Sequence, residues 1–88
     1  MAEGAYLKLD GEPHMLQEAF DRVDGMQGEL VLDLTSVRRI DPDAVRALEK
    51  LAGRADKQGV RVVLCAVNVD VYRILKLVRL APRFRFQA

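Results

Sequence analysis

Hydroxyl, thiol and imidazole side chains are scarce in this sequence: Thr35, Ser36, Cys65 and His14 stand alone of their kinds among 88 residues. A single cysteine closes no intramolecular disulfide. Cys65 lies within the strand-like run Val60 to Val67, so it reads as a small core residue in a reducing compartment, and the cytoplasm is the expected setting. His14 has no cysteine, histidine or carboxylate companion at ligand spacing, which points to an exposed helix residue rather than a structural metal ligand. Thr35 and Ser36 sit in a loop, where hydrogen bonding to nearby backbone is their commonest use. Tryptophan is absent and aromatic residues make up only 6% of the chain, so a base-stacking surface for single-stranded nucleic acid is a poor fit. The glycines at 11, 25, 28 and 59 form neither a G-x-G-x-x-G nor a P-loop pattern, and no cofactor is expected. No apolar run approaches the roughly 18 residues that cross a bilayer, and Met1-Ala-Glu-Gly-Ala lacks a signal-peptide pattern, so no membrane insertion is expected. An excess of one charge is missing too: 14 basic residues oppose 13 acidic ones, giving a net charge of +1 and no global field for nucleic acid or an anionic membrane.

What remains is half hydrophobic, enough for one compact core and too little for two, and residues 1–88 are expected to form a single domain. Ala5 to Leu9 alternates apolar and polar residues as a strand, and Asp10-Gly11 marks a turn. Met15, Leu16, Ala19, Phe20 and Val23 then recur at helical spacing, with Pro13 at the start and Gly25 past the end. Glu29 to Leu34 is a short run suited to a sheet interior. After a loop, the apolar spacing changes to Ala44, Val45, Leu48, Leu51, Ala52 and Ala55, one face of a helix over Pro42 to Lys57. Asp41 suits its N-cap, Pro42 its first position, Asp43 the positive end of its dipole, and Gly59 its left-handed end. A strand over Val60 to Val67 follows. Asn68 caps a third helix over about Asp70 to Leu80 with Val71, Ile74, Leu75 and Val78 inward, and Arg83 to Phe86 alternates as a last edge strand. The order β-α-β-α-β-α-β predicts a small α/β sandwich with a largely parallel or mixed β-sheet.

The runs Leu30-Val-Leu-Asp-Leu-Thr-Ser-Val37, Ile40-Asp41-x-x-Ala44-Val45-x-x-Leu48, Gly59-Val-Arg-Val-Val-Leu64, Val71-x-x-Ile74-Leu75 and Leu80-x-x-x-Phe84 together resemble the STAS domain of bacterial anti-sigma factor antagonists. The resemblance covers almost the whole chain. In that family the helix after the central strand opens with Asp-Ser-Ser/Thr-Gly, and an anti-sigma kinase phosphorylates the second hydroxyl residue to switch binding off. The motif maps onto Asp41, Pro42, Asp43 and Ala44. Asp41 keeps the aspartate, Asp43 takes the phosphoacceptor position, Pro42 replaces the preceding serine and Ala44 the glycine.

The resemblance implies a partner-binding surface at Asp41, Pro42, Asp43, Ala44 and Arg46 and an anti-sigma factor or serine kinase as partner, with the usual phosphorylation lost. Asp43 brings about one negative charge where a phosphoserine would bring about −1.5 to −2, so it is expected either to mimic a permanently phosphorylated site or to act as a fixed acidic docking point. The plain alternative is that Asp43 serves only the helix dipole, worth about 0.3–1 kcal/mol. The same resemblance admits a small STAS subunit of an ABC-type lipid transport system, seated on an ATPase, or an oligomeric stress-signalling scaffold. Catalysis is not expected, since Asp41 and Asp43 have no His, Lys or Cys that the sequence places beside them. Charge is also uneven along the chain: residues 61–88 carry six basic residues against Asp70 alone, and residues 1–60 carry eight against twelve acids. Arg73, Lys76 and Arg79 recur at spacing three, as a basic ridge or a solvated face.

Overall fold

The computed structural model describes residues 4–9 and 13–87, with side chains from residue 16 onward in the second span. Strands and helices alternate as β1 (Gly4–Lys8), α1 (Pro13–Val23), β2 (Glu29–Asp33), α2 (Pro42–Gln58), β3 (Arg61–Cys65), α3 (Val69–Leu77) and β4 (Arg85–Gln87), with a 3-10 turn at Ala81–Arg83 before the last strand. The sheet follows chain order, β1-β2-β3-β4, and each neighbouring pair is parallel. Of the two sheet types expected, these strands form the parallel one rather than a mixed one. Right-handed crossovers between parallel strands taken in this order place every helix on the same side of the sheet.

The register separates the two faces. Ala5, Leu30 and Val62 form one cross-strand row, and Leu7, Leu32, Leu64 and Phe86 form the next. Leu30, Leu32 and Leu64 are fully buried beneath the helices. Against them pack Ala19 and Val23 of α1, Leu48, Leu51, Ala52 and Ala55 of α2, and Val71 and Leu75 of α3. Each fully buried leucine contributes about 1.5–3 kcal/mol, so these rows supply the main driving force of the fold. The opposite face carries Tyr6, Val31, Val63 and Arg85 in one row and Lys8, Asp33, Cys65 and Gln87 in the next. Among the described residues no helix covers that side.

The helix ends explain where the elements stop. Gly59 closes α2 at φ 72°, its N–H bonding back to Asp56, while the Val60 N–H reaches Ala55 O at 2.9 Å and the Val60 side chain is buried. This is the Schellman arrangement expected of a glycine past the last turn. The third helix ends in the same way without a glycine. Arg79 takes φ 63°, and the Leu80 N–H bonds Leu75 O at 2.8 Å as Leu80 buries its side chain.

Several sequence expectations change accordingly. Helix α3 ends at Leu77 instead of running to Leu80, and Val78 is 40% exposed at its cap instead of facing inward. Arg79 lies beyond the helix, so it does not continue a ridge with Arg73 and Lys76. Strand β3 stops at Cys65 because Ala66 turns to φ 56°. Arg83 belongs to the 3-10 turn that Pro82 sets up, leaving Arg85–Gln87 as the last strand. Cys65 is half-buried on the uncovered face of the sheet, outside the core cluster. Asp10, Gly11 and the side chains of Pro13, His14 and Met15 lie outside the described residues.

Candidate functional site

The loop from β2 to α2 is held at three points. Asp33 accepts hydrogen bonds from the Thr35 N–H at 2.9 Å and from the Thr35 hydroxyl, a local turn that accounts for Thr35. Leu34 and Val37 are buried, and the Leu34 N–H donates to Cys65 O at 2.9 Å, continuing the ladder one residue past β2. Ile40, just before the cap, and Val45, in the first turn, both pack against the core, the placement of a hydrophobic staple.

Asp41 then caps α2. Its carboxylate accepts from the Ala44 N–H at 2.7 Å, its backbone stays extended, and Pro42 occupies the first turn, where a missing N–H leaves nothing unsatisfied. The side chain of Asp41 is thus committed to the helix. Asp43 is not: its carboxylate is 85% exposed, and its one partner among the described residues is Arg46, 2.9 Å away and itself 67% exposed. An exposed pair of this kind contributes little to stability, so neither residue is held in place by folding alone. Pro42 is exposed as well, whereas Ala44 packs partly against the core and presents little beyond its backbone. Of the five positions expected at this site, Pro42, Asp43 and Arg46 form the outward surface, Asp41 supports it and Ala44 roots it.

A residue that the sequence reading placed only as a cap joins this site to the next helix. Asn68 accepts from the Val71 N–H at 2.8 Å, capping α3, while its amide nitrogen donates to Val37 O at 3.1 Å and Arg38 O at 3.3 Å. One side chain therefore fixes the start of α3 and the loop leading into α2. Both helix starts lie at the carboxyl ends of the parallel strands, the end where open α/β sheets gather their functional loops.

A second polar group sits on the uncovered face. Tyr6 of β1 and Asp33 of β2 are diagonal neighbours across the ladder, and the tyrosine hydroxyl donates to the Asp33 carboxylate. Hydrogen bonds from Thr35 and Tyr6 hold the Asp33 carboxyl down at about 2, and the same bond, with the adjacent negative charge, pushes the Tyr6 phenol up to about 12. Burial, and then Asp33, raise the Cys65 thiol. Sequence pattern alone could not pair these residues, because the pairing depends on strand register. A cleft of about 720 Å³ lies along the other half of α2, where Arg54 stands 5.6 Å over the Phe20 ring and Lys50 and Lys57 flank it. It does not reach Asp41 or Asp43.

With this geometry in hand, the chain compares with known proteins as follows. The family model described as the STAS domain matches residues 12–88. A Thermotoga maritima protein described as an anti-sigma factor antagonist superposes with a TM-score of 0.72 at 20% identity, the match covering 93% of this chain and 71% of that one. An anti-sigma-factor antagonist (STAS) domain protein from Planctomyces limnophilus gives a TM-score of 0.71 at 16% identity, over 83% of this chain and 65% of that one. A sulfate transporter family protein from Wolinella succinogenes gives 0.77 at 18% identity, over 98% and 80%. At such identities these likenesses speak to the fold alone. No curated protein sequence matches the chain.

Proposed function

The chain belongs to the STAS domain family, and from that premise we propose that it is a non-enzymatic protein-interaction module whose docking surface is the start of α2, centred on Pro42, Asp43 and Arg46. The observation that carries this reading is the division of labour between the two acids. Asp41 is spent on the cap, whereas Asp43 stands exposed, and the motif resemblance aligns it with the family's phosphoacceptor hydroxyl. A partner that contacts this surface meets a carboxylate already paired with Arg46, so docking exchanges one exposed ion pair for another and costs little desolvation. The partner class that fits the resemblance is an anti-sigma factor of the serine-kinase type, bound competitively so that its sigma factor is released for transcription. Asp43 stands in for the phosphorylated or docking acid and offers no hydroxyl to a kinase. No helix of the described residues is long and apolar enough to cross a membrane, and action as a cytoplasmic binding partner is part of the same proposal.

The family resemblance also admits a second reading, in which the module is a small subunit seated on the ATPase of an ABC-type lipid transport system. An affinity pull-down from native lysate, with bound proteins identified by mass spectrometry, separates the two. A kinase-type anti-sigma factor retained by the wild type and lost with Asp43→Ala supports the first reading. A transport ATPase supports the second. Equal retention of the same partner by both proteins removes Asp43 from the docking surface. The double variant Pro42→Ser with Asp43→Ser restores a hydroxyl pair, and phosphate transfer to it from the captured kinase would show that the rest of the surface is still a kinase substrate.

A further inference from the structure

Away from the α2 start, the β3–α3–β4 quarter of the molecule has properties the docking proposal does not use. Strand β4 pairs with β3 on one side only, so among the described residues its outer edge leaves backbone N–H and C=O groups unpaired. Beside that edge the Phe86 and Tyr72 rings meet edge to face, 5.1 Å between centroids at 85°, and both are more than a third exposed. They line a cleft of about 360 Å³ with Val67 and Gln87. Lys76 stands beside this cleft, with Arg73 on the same helix and Arg85 on the same strand. The Lys76 ammonium lies 5.8 Å over the Tyr72 ring, and neither Arg73, Lys76 nor Arg85 has a carboxylate partner among the described residues. Asp70 is the only acid in residues 61–88.

We propose that this edge takes an extended acidic segment of a partner protein as an added strand, with an apolar side chain seated in the Tyr72–Phe86 cleft, alternate carboxylates meeting Arg85 on the open face, and Lys76 adding to the local positive field. The register supports such alternation. Phe86 faces the helix side while its neighbours Arg85 and Gln87 face the open side, so successive residues of an incoming strand would meet an aromatic cleft and a cation in turn. Charge complementarity selects the acidic chemistry. The unpaired backbone edge selects a peptide over a lipid surface, because headgroups and acyl chains do not satisfy a row of amide groups. With only three residues in β4, backbone bonding alone is a small contribution, so affinity depends on the anchor and the charges.

The test uses a fluorescent peptide alternating aspartate and leucine, its lysine-for-aspartate counterpart, and a version N-methylated at alternate backbone nitrogens, titrated with the full chain. The acidic peptide is expected to bind at least about tenfold more tightly than either control, more weakly as salt rises, and about tenfold more weakly to the exposed-site variant Lys76→Glu with Arg85→Glu. Asp43→Ala should leave this binding unchanged, which separates it from the docking proposal. Binding of the N-methylated peptide as tightly as its parent overturns strand addition, and equal binding of the lysine peptide overturns the acidic class. No saturable binding by any peptide, with pelleting of the protein on phosphatidylserine vesicles, assigns the patch to a membrane instead. A concentration-dependent dimer that Arg85→Glu dissociates assigns it to a second copy of the chain.

Discussion

Asn68→Ala should be among the most costly changes at any exposed polar position, because it removes two supports at once. Losing the cap of α3 costs about 0.5–2 kcal/mol. The amide nitrogen also bonds the carbonyls of Val37 and Arg38, and deleting a donor to partly buried carbonyls costs about 0.5–1.5 kcal/mol more. The total, about 2 kcal/mol, corresponds to a fall in Tm of roughly 8–16 °C for a domain of this size. Asn68→Ser separates the two roles: its hydroxyl can still cap α3 but cannot reach both carbonyls, so it should lose about half as much. Asn68→Asp keeps the cap and suits the dipole, yet turns a carboxylate toward two carbonyl oxygens, and should do no better than serine. Urea denaturation followed by circular dichroism gives the three values at unchanged m. If alanine costs less than about 0.5 kcal/mol, or serine costs as much as alanine, the double role assigned to this side chain is wrong.

Three further outcomes follow from the geometry. Arg79→Gly should stabilise the protein by up to about 1 kcal/mol, because a left-handed conformation costs an L-residue about 1–2 kcal/mol and glycine returns part of that through its looser unfolded chain; thermal melts would read it. Leu64→Ala, at a fully buried position between β2 and β4, should cost about 2–5 kcal/mol, a large share of a small domain's stability, read by circular dichroism as a lowered urea midpoint. The Asp33 carboxyl is depressed to about 2, so its stabilising contribution is complete above the ordinary carboxylate value near 3.8 and is lost as pH falls toward 2. The Tyr6 phenol is raised to about 12, so its contribution is complete below 10 and is lost as pH rises through 12. Tyr6→Phe should accordingly remove tyrosinate absorbance that develops near 12 and shift the acid-unfolding midpoint upward; loss of absorbance that develops near 10 instead would disprove the Tyr6–Asp33 bond.

Elements with explicit punctuation were legible from residue order. Asp41-Pro42 and Gly59 bracket α2 because the cap, the ring and the left-handed turn are local chemistry, and the leucine rows of β2 and β3 announced the sheet interior. The misplaced ends of α3 and β3 share one cause. Arg79 and Ala66 adopt left-handed backbone without being glycine, since the burial of Leu80 and the turn out of β3 compensate for the local cost, and no side chain advertised it. At the proposed docking site, the Asp43–Arg46 pair at spacing three could have been read from the helix. The reach of Asn68 to Val37 and Arg38, thirty residues and more away, and the meeting of Tyr6 with Asp33, exist only once three strands are in register.

The division between Asp41 and Asp43 also bears on how such a module can change over generations. The acid that keeps the helix in place and the acid that the proposed docking surface would offer a partner are separate residues, two positions apart in the first turn. On the proposed docking surface, substitutions at Pro42, Asp43 or Arg46 would alter what is recognised while leaving the cap, the staple and the core as they are. Under that proposal a lineage could exchange partners, or lose a chemical switch and keep the dock, without passing through an unfolded ancestor.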